Sequence, residues 1–251
     1  VTGTPTAVVT GSTRGIGRAI ALRLAHAGYN VVLNYATDDQ TAAEALQLCE
    51  AAAPRALLVK ADLGSASAAR TLIDRTVEAF ARVDVLVNNA ARVIDKPALD
   101  LTEHDWDAVL DVNLKGAFLC AQHAARQMLT QDNGGNIINI GASTGIRARR
   151  NGANTCASKA GLMILTQCLA LELGPRIHVN TVIPGLTLTD ETANRFGLAD
   201  PETLRAREEA VPLGRIGRPD DVANAVMLLL SNNAGFITGQ KLVVDGGQYM
   251  W

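Results

Sequence analysis

The chain has 251 residues, 48% apolar and 19% charged, with a net charge of −2. That balance fits a globular chain long enough for one large core, and it offers no basic surface for nucleic acid or anionic lipid. No apolar run is expected to match the roughly 20 residues of a bilayer-crossing helix, and Gly11 to Gly17 breaks the first apolar segment with no basic run before it, so neither a span nor a secretory leader is expected.

Val- and Ile-rich runs alternate with Ala/Leu-rich stretches of helical period. The first expected strand, Ala7–Thr10, leads through a glycine-rich turn to a helix over Gly15–Ala27. A strand over Asn30–Asn34 and a helix over Ala42–Ala52 follow, then a strand at Arg55–Lys60 and a helix at Ala66–Phe80. Val83–Asn88 reads as a strand and Glu103–Thr130 as one long helix. Asn136–Ile140 is a strand, Ala153–Glu172 a helix, and Ile177–Ile183 a strand. After Pro184-Gly185 the stretch Leu186–Pro212 is mostly polar, with short helical pieces at most, and reads as a substrate loop. A helix at Pro219–Leu230 and a strand at Lys241–Val244 complete the pattern. Strands apolar on both faces belong to a parallel sheet covered on each side. The expectation is one α/β domain over residues 1–251, doubly wound and Rossmann-type, with about seven strands. Cys49, Cys120, Cys156 and Cys168 have no metal-ligand spacing and read as free thiols of a cytoplasmic protein, with no metal expected.

Thr10-Gly11-Ser12-Thr13-Arg14-Gly15-Ile16-Gly17 follows the first strand and opens the first helix. A glycine-rich turn there lets backbone N–H groups approach a pyrophosphate, and the positive end of the helix dipole favours the anion. At the end of the second strand an acidic residue would hold the adenosine ribose and repel a 2′-phosphate. That position is Tyr35, followed by Ala36 and Thr37, and Arg14 adds a cation nearby. Asp38 and Asp39 oppose that cation, but the balance favours NADP(H) over NAD(H).

The T-G-x-x-x-G-x-G spacing resembles that of the short-chain dehydrogenases/reductases. The resemblance runs from Ala7 to Tyr249 and looks most like the 3-oxoacyl-carrier-protein reductases and their relatives. By this resemblance Gly11, Ser12, Thr13, Arg14, Gly15, Ile16 and Gly17 surround the cofactor phosphates, with Tyr35 at the ribose and Asp62-Leu63 at the adenine. Asn89 and Ala90 belong to a stretch, Asn88-Asn89-Ala90-Ala91, that departs from the family pattern at its last residue. Pro184, Gly185, Thr187 and Thr189 match the segment that grips the nicotinamide carboxamide. Arg215-Ile216-Gly217-Arg218-Pro219 and Val244-Asp245-Gly246-Gly247 match the C-terminal landmarks, and a homo-tetramer is implied.

The catalytic positions are divided. Lys159 and Asn113 match the family's lysine and asparagine, but the position of its catalytic tyrosine holds Thr155. The serine position, counted back from Lys159, falls on Ala142, and Ser143 comes into register only if the Ile146–Asn151 loop lacks one residue. A threonine hydroxyl is far less acidic than a phenol of pKa about 10, and its side chain is shorter. Lys159, Ser143, water or the substrate itself can supply a proton, while Cys156 lies about 100° round the helix from Thr155. Arg147, Arg149 and Arg150 precede the helix of Lys159; they bind a carboxylate or phosphate, or they are a solvated or subunit-facing loop. His104 and His123 read as structural, Leu162 and Met163 as core. Two main readings stand. One is an atypical NADPH-dependent reductase of a small or carrier-bound carbonyl or enone. The other is a non-redox protein binding the dinucleotide, such as a pseudoenzyme, isomerase, dehydratase or cyclase. A purely structural role leaves the glycine loop unexplained.

Overall fold

A computed structural model describes residues 3–250. Seven strands form one sheet: β1 Thr6–Val9, β2 Asn30–Tyr35, β3 Ala56–Lys60, β4 Val85–Asn88, β5 Gly135–Ile140, β6 Ile177–Pro184 and β7 Lys241–Val244. Their order is β3-β2-β1-β4-β5-β6-β7, and every pairing is parallel. The strand periodicity sorts side chains into two cores. Ala7, Val9, Val31, Leu33, Val85 and Val87 point to one face, under helices α1 (Gly15–His26), α2 (Asp39–Glu50) and α9 (Pro219–Leu230). Val8, Val32 and Leu86 point to the other, under α3 (Ala68–Phe80), α5 (Ala117–Leu129) and α6 (Ala153–Leu173). Both faces are covered, so the strands carry the continuous apolar runs typical of parallel sheets. The connections from β1 and β4 leave in opposite directions, which opens a crevice at the carboxyl ends of those strands.

Three elements refine the sequence expectations. The long helix expected from Glu103 is α4 (Glu103–Leu110), a π-helical segment (Asp111–Gly116) and α5 in continuity. The polar stretch after Gly185 folds into two short helices, α7 (Asp190–Phe196) and α8 (Pro201–Glu209), capped by the side chains of Thr189 and Asp200. α6 corrects the reading on apolar runs: over its 21 residues it is long enough, and on average apolar enough, to cross a bilayer by length and composition. It packs instead on the sheet, burying Leu162, Met163 and Leu169 together with the polar Ser158, Lys159 and Thr166.

A buried polar chain fixes α5 and α6 on the sheet. Asn88 Nδ2 donates to Ala117 O at 3.1 Å and to Asn139 Oδ1 at 2.9 Å. Asn139 Nδ2 donates to Thr166 Oγ1 at 2.8 Å, and Thr166 and Thr181 share a 2.7 Å hydroxyl contact. Removing one member strands its partners away from water, each at about 1–3 kcal/mol. Asn139→Ala should therefore lower stability by about 2–4 kcal/mol in urea unfolding; a loss under about 0.5 kcal/mol, the size of an ordinary surface change, would contradict this role.

Candidate active site

The crevice begins where β1 gives way to α1. Gly11 turns there with φ +58°, a backbone state natural to glycine. Gly17 has no room for a side chain: a Cβ would lie 2.3 Å from Gly11 O and 2.4 Å from Asn89 Nδ2. The turn is stapled to the loop after β4. Thr10 Oγ1 accepts from Asn89 N at 2.9 Å and Ala90 N at 3.0 Å, while Asn89 Nδ2 donates to Thr10 O and Gly11 O. From the other side Asn34 Oδ1 accepts from Gly11 N at 3.2 Å, and its Nδ2 donates to Val59 O and Ala61 O. α1 itself has no side-chain cap and no acidic residue in its first turn. Its positive end, with Gly15, Ile16 and Gly17, therefore opens into the crevice. A glycine-lined helix start of this kind can hold an anionic phosphate.

From that point a cleft of about 860 Å³ runs in two directions. One end is lined by Thr13, Arg14, Tyr35, Asp62 and Leu63. Tyr35 donates its hydroxyl to Asp39 Oδ1 at 2.7 Å, and Lys60 pairs with the same carboxylate at 2.8 Å. Asp38 caps α2 through Thr41 N and Thr41 Oγ1, and those hydrogen bonds hold its carboxyl below the usual range. Asp62 Oδ1 accepts from Gly64 N at 3.0 Å. Asn89 and Ala90 line the middle of the cleft.

The other end is built from the turn after β5, the buried side of α6 and the segment after β6. Ala142, Ser143, Lys159, Pro184, Gly185, Thr187 and Thr189 line it. Lys159 is 6% exposed, and its ammonium donates to Ile140 O at 2.7 Å. Burial lowers its pKa from 10.5 to about 8. A depressed lysine pKa means that the unfolded chain binds the proton more tightly, so the buried charge costs about 3 kcal/mol below pH 8. That cost fades as pH rises from 8 towards 10.5. Ser143 opens the turn, its carbonyl accepting from Ile146 N and Arg147 N. Gly145 presses this turn onto α6, where a Cβ would meet the Lys159 carbonyl carbon at 2.7 Å.

Three residues expected at the site lie behind its wall. Ser12 is fully buried; its N–H donates to Asn34 O, and its hydroxyl accepts from Asn34 N at 3.0 Å. Asn113, on the π-helical segment, is 1% exposed. Its Oδ1 accepts from Arg92 N at 2.7 Å, and its Nδ2 donates to Arg92 O and Ser158 Oγ. Thr155 is 5% exposed, with its backbone N–H on Asn154 Oδ1 at 2.7 Å and its hydroxyl turned to the same oxygen. These side chains position the wall rather than line the cleft.

A family model described as Enoyl-(Acyl carrier protein) reductase matches residues 11–248. The chain belongs to the short-chain dehydrogenase/reductase family. It is 41% identical over 248 residues to the 3-oxoacyl-[acyl-carrier-protein] reductase FabG of Staphylococcus aureus, covering 98% of this chain and 99% of that one. Among solved structures, a short chain dehydrogenase from Burkholderia cenocepacia in complex with NADP superposes with a TM-score of 0.88 at 38% identity, covering 97% of each chain. A short-chain dehydrogenase/reductase from Serratia marcescens gives 0.88 at 34% identity, again over 97% of each.

Several residues in and around the cleft carry little mark in the sequence. Asn34 is a buried polar side chain that interrupts the apolar run Val31–Leu33 of β2, and that contrast is the signal that marks it. Asp95 joins three segments: Arg149 pairs with one of its oxygens at 2.6 Å and Arg195 with the other. Phe196 and Arg207 bring α7 and α8 to the cleft, and Tyr249 enters from the chain's far end. Of the arginines singled out in sequence, Arg147 and Arg149 line the cleft. Arg150 is exposed and lies outside it.

Proposed function

We propose that the protein is an NADPH-dependent oxidoreductase that reduces a carbonyl or conjugated enone without a phenolic proton donor at position 155. The observation that carries this reading is Lys159, a buried ammonium kept in the cleft beside Ser143 at a cost in stability. The uncapped α1 start and its glycine turn fit a pyrophosphate, while Pro184, Gly185, Thr187 and Thr189 would border the nicotinamide. Bound there, a reduced nicotinamide supplies hydride to an electrophilic carbon. As hydride arrives, negative charge grows on the substrate oxygen. One Lys159 N–H stays with Ile140 O, and the others stabilise that oxygen or deliver its proton, with Ser143 as a second donor. With an enone, reduction would place the new C–H bond at the β-carbon and solvent would protonate the α-carbon, so no tyrosine would be required. Asn113 acts through the wall by holding Arg92 and Ser158 in place.

NADP(H) is favoured over NAD(H) because Tyr35, rather than an acid, ends β2, and Arg14 in the glycine turn adds a cation. Asp39 is neutralised by Lys60, and Asp38 is occupied as a helix cap. The NADP-bound Burkholderia relative supports the same choice. A homo-tetramer fits the exposed apolar side chains Ile164 and Leu171 on α6, 59% and 86% exposed; a monomer by light scattering would contradict it.

Restoring the missing groups tests the reading. The protein should consume NADPH slowly on ketone and enone panels, and Thr155→Tyr with Ala142→Ser should speed ketone reduction by about 10²–10⁴-fold, the usual worth of a general acid. NADPH bound but consumed by neither form would overturn the reductase and favour a non-redox reaction in the same pocket.

A further inference from the structure

We infer that the substrate end of the cleft is an anion site in which Arg147 grips a carboxylate carried by the small molecule, so that the natural substrate is an oxo acid. The inference deepens the reductase reading by naming its substrate class, but the carboxylate site stands on its own observations. Arg147, Arg149, Arg207 and Lys159 line this end against one acid, Glu191. Arg149 and Arg195 are already matched, one to each oxygen of Asp95, which leaves that triad with one surplus positive charge.

Arg147 has a different partner. Its guanidinium carbon lies 5.8 Å from the centroid of the Tyr249 ring, and among the described residues it forms no ion pair. A guanidinium stacked on an aromatic face keeps its in-plane N–H edge available, which is the geometry that takes a carboxylate with two parallel hydrogen bonds. The position is set as well. Arg147 N donates to Ser143 O at 2.8 Å, so the guanidinium and the Ser143 hydroxyl ride on one turn. The tight fit of Gly145 against the backbone of Lys159 clamps that turn to the helix bearing the ammonium. A small molecule with its carbonyl at Ser143 and Lys159 can thus offer a carboxylate to Arg147.

The charge balance chooses the ligand. One unpaired guanidinium suits a monoanion, and Glu191 opposes a second negative charge. With a neutral ketone or thioester the exposed Arg147 guanidinium keeps only water beside the Tyr249 ring. On α8, Arg207 stands 5.7 Å from the Phe196 ring and lines the cleft, adding positive potential that draws an anion in.

The test is calorimetric binding of a series of oxo acids, each beside its methyl ester and its pantetheine thioester, with and without saturating NADP⁺. The protein, Arg147→Met and Arg150→Met are compared. At least one acid should bind about tenfold tighter than its ester, a difference of 1.4 kcal/mol. Arg147→Met should erase that preference while ester and NADPH binding stay within about twofold, and Arg150→Met should keep it. Equal binding of acid and ester, a preference for the thioester, an acid preference that survives Arg147→Met, or no binding by any acid would each overturn the site. NADPH binding to Arg147→Met confirms that the variant folds. An acid preference without NADPH consumption would sink the reductase reading and leave the anion site intact.

Discussion

Lys159 holds its charge where the fold gives it little solvation: its ammonium donates to the Ile140 carbonyl, at the junction of β5 and α6. A lysine in that position must either lose affinity for its proton or draw on the stability of everything around it. Both happen here. Its pKa falls to about 8, and the buried polar chain from Asn88 through Asn139 to Thr166 and Thr181 secures α6 so that the ammonium cannot swing out to water. Gly145 closes the same helix from the other side. The Lys159 end of the cleft is therefore defined by what is needed to keep one ammonium in place.

The opposite end rests on backbone rather than charge. β1 and β4 send their connections apart, and side-chain staples from Thr10, Asn89 and Asn34 hold the resulting turn. The N–H groups of the α1 start are thereby left facing the cleft. Rigidity at one end and a costly buried cation at the other are what a site for an anionic cofactor and an oxygen-bearing substrate requires. Asp95 ties α7 to the wall through Arg195 and Arg149, while Leu198 and Val211 bury the same segment's apolar side chains.

Much of this was legible in the sequence because it is written locally. Val8 between Ala7 and Val9 gives the two-faced strand, and the glycines of the first turn sit at fixed spacing. What was not legible depends on partners far away in the chain. Ser12 lies inside a glycine motif, yet its hydroxyl serves Asn34 on the next strand, and no pattern around it says so. Asn113 matches a functional asparagine by position, but the π-helical turn that aims it at Arg92 and Ser158 has no compositional mark. Thr155 is a threonine at the position the family resemblance assigns to a tyrosine; only its packing against Asn154 reveals that its own hydroxyl faces the protein. The apolar tally of α6 is ambiguous for the same reason, since burial against the sheet and a bilayer reward the same residues. Tyr249 joins the cleft, and Asp95 braces its wall, from loops, where sequence pattern is weakest.

The measurement that tests the account most directly compares the ligand-free protein with Lys159→Met by denaturant unfolding from pH 6 to 10, with NADPH-dependent turnover measured on the same samples. If Lys159 is a charge kept for chemistry, the methionine variant is more stable by up to about 3 kcal/mol below pH 8. That advantage shrinks as the pH approaches 10, and turnover is lost. A variant that is less stable at every pH, or one that keeps its turnover, would make Lys159 a structural residue and remove the centre of the account.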